Sequence, residues 1–342
     1  MENIETAPSL EKIKNYDAVI LIKPSGIQRK TINLILNLCI RRNILPTNYS
    51  KIKLTEEDVE ELYPEEIDKD FFPGMVEHLT SDYNYAIGFS GNPDDIRKIK
   101  TEIIPKWPLG IRGIFANSKN PSENLIRNIA HSPTIEETQN QISTFERFFD
   151  KSKDTKETLC SGKKFIFTCG LSESGKSTFC KYLDSKGIQR VKIRKIFELL
   201  AKEDNIPIEE LDRWVKEREK EDPFVLWENF LEKLVEYSNE IGKDNLVLDT
   251  LWGGGLGFFV HMYKGCHLVH IDANREKRVG FQSGRENIST EEADSLLLER
   301  DRKKIKSGVE HLFSICDSTI TNNSTLEEFQ TKIDDYIAKL TK

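Results

Sequence analysis

Gly170-Leu171-Ser172-Glu173-Ser174-Gly175-Lys176-Ser177 fits the pattern G-x-x-x-x-G-K-S. Before it runs Lys163-Lys164-Phe165-Ile166-Phe167-Thr168-Cys169, a short apolar run of strand type. After it, Thr178-Phe179-Cys180-Lys181-Tyr182-Leu183 reads as a helix start. Strand, glycine loop, helix is the context in which this pattern holds a polyphosphate. Backbone N–H groups from Gly170, Ser172, Glu173, Ser174, Gly175 and onward to Thr178, with the positive helix end, would cradle the phosphates. Lys176 would reach the outer ones, and Ser177 would offer a hydroxyl to Mg²⁺.

Downstream of the loop, Arg190 to Glu203 begins with basic residues and becomes a helix. Arg194 and Lys195 there are either a turn that binds the monophosphate of a small acceptor or a solvated basic helix start. Asn205 to Tyr237 reads as a charged helical stretch with Trp214, Phe224, Trp227, Phe230 and Leu231 as its core face. Asn245-Leu246-Val247-Leu248-Asp249 is a buried parallel strand ending in a carboxylate. Ligands of open α/β sheets gather at carboxyl ends of strands, so Asp249 is placed to hold Mg²⁺ or to meet the phosphoryl acceptor. Trp252-Gly253-Gly254-Gly255-Leu256-Gly257 is either a close backbone approach to a ligand or a mobile turn.

Cys266 to Asp272 is a further strand, and Arg275, Arg278, Arg285 and then Glu299-Arg300-Asp301-Arg302-Lys303-Lys304 follow it. Phosphoryl transfer asks the protein for positive charge around the moving group, which such a cluster supplies as a lid, with Arg300 as its catalytic member. Taken singly, each of these arginines also reads as a surface residue. Ser318 to Asn322 is the last strand, and Ser324-Thr325-Leu326-Glu327-Glu328 caps the final helix.

The chain has 342 residues, 37% hydrophobic and 31% charged, enough for two domains that each bury a core. A net charge of −7 excludes a general nucleic-acid footprint. No apolar run approaches the ~18 residues of a membrane span, and the acidic start Met1-Glu2-Asn3-Ile4-Glu5 is unlike a secretory leader, so an intracellular, cytoplasmic protein is expected. Cys39, Cys160, Cys169, Cys180, Cys266 and Cys316 show no C-x-x-C spacing and are expected as reduced, buried thiols.

Upstream, a polar lead (1–16) precedes a first domain (17–149). Asp17 to Ile22 is a buried strand ending in Lys23-Pro24-Ser25-Gly26, and Gln28 to Ile44 has helical spacing. A strand over Lys51 to Leu54 leads into Thr55-Glu56-Glu57-Asp58, a capped helix start. Tyr83 to Phe89 is a third strand, with helices over Asp94 to Ile104 and Thr134 to Phe149. Asp150 to Gly162 has mixed charge and no apolar period, and is expected as a linker to the second domain (163–342).

Ile22-Lys23-Pro24-Ser25-Gly26-Ile27-Gln28-Arg29, Tyr63, Phe71-Phe72-Pro73-Gly74-Met75-Val76, Gly110-Ile111-Arg112-Gly113 and Arg127-Asn128-Ile129-Ala130-His131 fall in one order. In order and spacing they resemble the nucleoside diphosphate kinase family. The resemblance implies a ferredoxin-like βαββαβ sandwich, an α+β fold that can build a homo-oligomer, and transfer of a γ-phosphate through a phosphohistidine. His131 is then the nucleophile, Lys23, Tyr63, Arg112 and Asn128 surround it, and Phe71 or Phe72 stacks on the base. A histidine of pKa about 6.5 is largely neutral at pH 7, which suits attack on phosphorus. The family usually continues its histidine with Gly-Ser-Asp, where this chain has Ser132-Pro133-Thr134. Lys100 stands where the family tends to carry a phosphate-binding arginine, and the segment before Gly110 looks shortened.

Residues 163–341 resemble the P-loop kinases of small acceptors, both nucleoside monophosphate kinases and dephospho-coenzyme A kinases. The resemblance rests on the glycine loop, Ile196-Phe197-Glu198-Leu199-Leu200-Ala201, Leu246 to Asp249, and Asp317 to Phe329. It implies a parallel sheet flanked by helices, with ATP, Mg²⁺ and a mono- or diphosphate acceptor as partners. Two phosphotransfer domains in one chain imply successive phosphorylation of a nucleotide. One active domain beside a nucleotide-binding platform, or an ATP-bound switch, stays open.

Overall fold

The computed structural model describes residues 16–105, 109–115, 126–133, 141–251 and 253–340. Tyr16 is thus the only described residue of the expected polar lead. By contacts the chain forms two compact units. Of the described residues, one holds those from Tyr16 to Thr158 together with Val215–Leu226, the other Leu159–Trp214 and those from Trp227 onward.

The N-terminal unit is built on an antiparallel sheet of β1 (Ala18–Ile22), β2 (Leu45–Ile52), β3 (Asn84–Ser90) and β4 (Ala130–His131), in the order β2-β3-β1-β4. This is the order of a βαββαβ sandwich. β1 is buried along its whole length, which is why it reads as a continuous apolar run. It places Ile20 opposite Ile87 of β3 and Leu21 opposite His131 of β4. Val19 and Leu21 point into a core with Leu62, Phe72, Met75, Leu79, Phe145 and Phe148. Thr55 and Asp58 close a reciprocal capping box at the start of helix Glu56–Leu62.

Several boundaries differ from those expected. The helix over Gln28 to Ile44 is two helices, Pro24–Gln28 and Ile32–Ile40, because Lys30 adopts a left-handed φ of 57° that ends the first. Asn43 adopts φ 58°, after which β2 begins at Leu45 rather than near Lys51. The helix over Asp94 to Ile104 is Pro93–Lys98 followed by a π-helical turn, Ile99–Ile103. The helix that closes the domain is Ile142–Thr158, while residues 134–140 lie outside the described residues. It runs into the stretch expected as a linker, 150–162, within which the division between the two units falls, after Thr158. Ile142 to Thr158 contains neither glycine nor proline, so nothing in it stops the helix.

Val215–Leu226 also belongs to this unit, a placement the sequence does not announce. Phe224 stacks on Tyr49 with centroids 4.3 Å apart, and Tyr85 Oη donates to Asp222 at 2.7 Å. The helical stretch expected over Asn205 to Tyr237 is interrupted before Pro223, giving Leu211–Glu221 and Pro223–Glu240.

The C-terminal unit is a five-stranded parallel sheet in the order β6-β7-β5-β8-β9. Its strands are β5 (Lys164–Cys169), β6 (Gln189–Lys192), β7 (Asn245–Asp249), β8 (Cys266–Asp272) and β9 (Ser318–Thr321). β5 lies between β7 and β8, with Phe167 opposite both Leu248 and Leu268. From β5 the chain fills one side of the sheet and then the other, so the crevice at its carboxyl end is the topological switch point. Ile166, Val247, Val269, Ile271 and Ile320 of the strands pack against Phe179, Leu183, Phe329 and Ile333 of the flanking helices. All six cysteines are free and buried. No helix among the described residues is long and apolar enough to cross a membrane.

Candidate functional site

At the carboxyl end of β5 the chain turns through Gly170, Glu173 and Gly175 at φ 139°, 57° and 102°, then enters helix Lys176–Ser185. Side chains at the two glycines would strike neighbours. A Cβ on Gly170 would lie 2.4 Å from the Ile271 carbonyl oxygen, and one on Gly175 2.3 Å from Asn322 Nδ2. Asn322 Nδ2 donates to Ser174 O at 3.0 Å, tying the loop to the residue after β9. Lys176 is buried, with its ammonium on Leu171 O and on Ser174 Oγ at 3.2 Å. Burial, and then Lys304 close by, push its pKa down to about 7.

Ser177 and Asp249 meet at the strand ends: Ser177 Oγ donates to Asp249 Oδ2 at 3.3 Å. Arg190 Nε also donates to that oxygen at 3.0 Å, and Thr250 Oγ1 donates to the other. Burial works to raise the Asp249 pKa, but the hydrogen bonds from Thr250, Arg190 and Ser177 and the Arg190 charge hold it below the usual carboxylate value. Among the described residues no group of three or more His, Cys, Asp and Glu is placed to hold a metal ion. The hard-oxygen donors that do converge are this hydroxyl and this carboxylate, which suits Mg²⁺, an ion bound by one or two carboxylates with waters and substrate phosphates.

The cationic residues expected as a lid divide into distinct environments. Arg278 is buried rather than on the surface, 7% exposed and ion-paired with Asp301 at 2.5 Å. Its Nη1 donates to Ser172 O at 3.1 Å, while Ser172 N donates to Asp301 Oδ1 at 2.9 Å. Arg285 reaches Glu173 of the loop at 2.7 Å and shares Gln282 Oε1 and Glu286 with Arg300. Arg275 forks onto Asp294 at 2.6 and 2.7 Å. Arg194 bridges Glu198 and Asp212, while Lys195 and Arg302 are exposed. The glycine stretch after β7 serves packing: a Cβ on Gly254 would lie 2.8 Å from Gly308 O, and one on Gly257 2.5 Å from the Leu312 side chain. Trp252 lies outside the described residues.

In the N-terminal unit the dispersed blocks converge on the end of β4. Lys23 follows β1 and is 1% exposed, its ammonium 5.4 Å from the centroid of the Tyr63 ring. The Tyr63 ring in turn sits edge-on to His131, with centroids 4.7 Å apart. Arg112 donates from Nε and Nη2 to Ala130 O at 3.1 and 2.8 Å, which fixes its guanidinium beside the histidine strand. Burial, then Lys23, Arg112 and Lys100, hold the His131 pKa well below its ordinary value. Burial and then Arg112 push Lys23 down to about 7. His131 Nε2, Ser132 Oγ and Tyr63 Oη are buried with no hydrogen-bond partner among the described residues.

Asn128 O accepts from Ser25 Oγ at 2.9 Å, and His78 Nε2 lies 3.2 Å from the same hydroxyl. Of the two candidate stacking rings, Phe72 belongs to the core and Phe71 is half-buried just before helix Phe72–Ser81, so Phe71 is the one left accessible. Lys100 lies in the turn Ile99–Ile103. Of the shortened segment before Gly110, residues 106–108 lie outside the described residues, as does Thr134.

Lys23 N donates to Ile129 O at 3.0 Å, and a Cβ on Gly26 would stand 2.2 Å from that oxygen. Gly26→Ala is therefore expected to displace the backbone just before His131 and to destabilise the unit by about 1–3 kcal/mol, read from urea unfolding followed by circular dichroism.

Sequence reasoning overlooked Arg190, Thr250, Asp301 and Asn322 as parts of the C-terminal site, and Ser25 and His78 in the N-terminal one. Asp301 is hidden in a charged run that reads as a solvated face, and Arg190 in a basic one. Asn322 alone carried a signal, its place at the carboxyl end of the last strand of the sheet.

The nucleoside diphosphate kinase family model matches residues 17–153. The nucleoside diphosphate kinase of Saccharolobus solfataricus is 33% identical over 139 residues, covering 39% of this chain and 94% of that protein. The Thermus thermophilus enzyme of the same description is 32% identical over 132 residues, covering 37% and 93%. The crystal structure of the Aquifex aeolicus nucleoside diphosphate kinase aligns with TM-score 0.32 and 23% identity, over 37% of this chain and 92% of that one.

Proposed function

Because the chain belongs to the nucleoside diphosphate kinase family through residues 17–153, we propose that it is a nucleotide phosphotransferase with a site in each unit. In the N-terminal unit His131 takes a phosphoryl group from a nucleoside triphosphate and returns it to a diphosphate. The observation that carries this reading is the convergence of Lys23, Tyr63 and Arg112 on the half-buried His131, whose Nε2 is shielded from water, with desolvation and the neighbouring cations favouring the neutral imidazole. A ring nitrogen lone pair forms the N–P bond as the nucleoside diphosphate leaves, and an oxygen of the incoming diphosphate then breaks that bond. Lys23 and Arg112 hold phosphate oxygens throughout, and Phe71 offers a face for the base.

In the C-terminal unit the G-x-x-x-x-G-K-S stretch acts as a P-loop, whose amides and Lys176 hold ATP for transfer of its γ-phosphate to a nucleoside monophosphate. Ser177 and Asp249 would hold Mg²⁺, which when bound neutralises charge on the outer phosphates. Arg285 and Arg300, at the loop through Glu173 and Gln282, supply cations on the acceptor side. The strained left-handed turns and the Asp301–Arg278 pair hold the loop in shape before any ligand arrives. Dephospho-coenzyme A is the other acceptor that this loop and strand pattern fits.

A second reading of the N-terminal unit rests on His131 Nε2 and Ser132 Oγ, buried without partners where the family places a serine and an acid. On this reading the unit binds nucleotide or builds an assembly, and turnover belongs to the C-terminal unit alone. Incubation with γ-labelled ATP and a panel of mono- and diphosphates tests both. An acid-labile, alkali-stable label on the protein with new di- and triphosphates supports the two-site reading. Monophosphate turnover without protein label supports the second reading. ATP binding with no turnover of any acceptor would make the chain a nucleotide-dependent switch.

A further inference from the structure

The strand that presents His131 is only two residues long, Ala130–His131, and pairs with β1 through Ile22 and Leu21. Little orients the ring itself: Nε2 is buried without a hydrogen-bond partner among the described residues, and Tyr63 meets the imidazole edge-on. The backbone that carries the ring therefore governs its direction. The three carbonyls leading into His131 are each taken by a donor from elsewhere in the unit. Asn128 O accepts from Ser25 Oγ at 2.9 Å, Ile129 O from Lys23 N at 3.0 Å, and Ala130 O from the Arg112 guanidinium at 2.8 and 3.1 Å.

Of these donors, Ser25 has a support of its own. A serine hydroxyl carries one hydrogen and two lone pairs, and a carbonyl oxygen can only accept. With its hydrogen given to Asn128 O, Ser25 Oγ accepts from His78 Nε2, 3.2 Å away. That arrangement puts the His78 proton on Nε2. Burial and the charges of Lys23, Arg127 and Arg29 push the His78 pKa down to about 4, so the ring stays neutral at neutral pH. Ser25 is 6% exposed, which shields the hydroxyl from competing water. His78 sits on helix Phe72–Ser81, which the chain enters directly from Phe71.

We infer that Ser25 and His78 are positioning residues for His131, joined in a hydrogen-bond chain that runs from His78 Nε2–H through Ser25 Oγ–H to Asn128 O. The inference rests on the phosphohistidine reading of His131. One end of the chain lies on the helix that follows the base-stacking ring, and the other lies three residues before the nucleophile. Neither side chain makes or breaks a bond. Attack on phosphorus needs the nitrogen aligned, and a displacement of about 1 Å can cost on the order of a hundredfold in rate.

Histidine nitrogen NMR and labelling kinetics on the full chain test it. The His78 signals, assigned by their loss in His78→Gln, should show a neutral ring protonated at Nε2. A ring protonated at Nδ1 would accept the Ser25 hydrogen instead of leaving it to Asn128 O, and overturns the inference. His78→Phe should lower the saturating rate of acid-labile labelling from γ-labelled ATP about tenfold, with the half-saturating ATP concentration within about twofold of wild type. His78→Gln returns an N–H near the Nε2 position and should recover the rate to within about threefold. Ser25→Ala should lose as much as His78→Phe, and the two together little more than either, because they interrupt one chain. Circular dichroism checks that each variant is folded. A labelling rate of His78→Phe within about twofold of wild type overturns the inference. Equal loss in His78→Phe and His78→Gln, or loss confined to the half-saturating concentration, overturns it too, as a packing or binding role. Absence of label on the wild type removes the phosphohistidine reading itself, and this inference with it.

Discussion

Lys176→Ala should lower the phosphorylation of a nucleoside monophosphate by roughly 10²–10³-fold or more, the scale of losing one preorganised charge at a developing phosphoryl anion. The side chain is buried, with its ammonium held by Leu171 O and Ser174 Oγ. Lys176→Met keeps the stem and should lose nearly as much, which separates charge from packing. The pH dependence has a definite sign. With its pKa at about 7 in the free protein, Lys176 is charged below that pH and largely neutral above it. A bound polyphosphate favours the charged form, so ATP affinity should fall as pH rises above about 7. Initial rates with labelled ATP and binding isotherms across this range check both statements. Undiminished turnover in either variant would remove the C-terminal site from the reaction.

The second large effect concerns His131. His131→Ala should abolish the acid-labile label and reduce diphosphate-to-triphosphate conversion by at least roughly a thousandfold, because on this reading the N–P bond forms on its ring nitrogen. Monophosphate phosphorylation should persist, since that step uses the other unit's residues. An exposed histidine loses most of its neutral fraction between pH 7 and about 6. His131 is held well below its ordinary pKa by burial and by Lys23, Arg112 and Lys100, so labelling should stay nearly level across that interval. A steep fall there would show an ordinary imidazole. Label persisting in the alanine variant would place the phosphoryl acceptor elsewhere.

Much of both sites was legible before the structure. The strand-loop-helix around Gly170, the strand ends at Asp249 and Asp272, and the Thr55 capping box depend on neighbours in sequence. They emerge at nearly the expected positions. The convergence of Lys23, Tyr63, Arg112 and His131 was readable only because separated blocks resembled a family, not from any local period. Arg278 was misread because a buried arginine and a solvated one look alike in a charged run. Its paired Asp301 and the Ser172 peptide come to it from other elements. The helix that runs on to Thr158 within the expected linker was hidden for a related reason: mixed charge without apolar period describes a solvated helix as well as a loop.

By itself the sequence determined the local elements, the strand-loop-helix around Gly170 among them, because backbone propensity, turn chemistry and short spacing act between near neighbours. Only the tertiary structure decided which cations are already satisfied by carboxylates and carbonyls, that Val215–Leu226 joins the N-terminal unit, and that His131 Nε2 is buried without a partner among the described residues. Desolvation and like-charge contact, which lower Lys23, Lys176 and His131, arise when residues far apart in the chain share one water-poor space. No window of sequence contains that information.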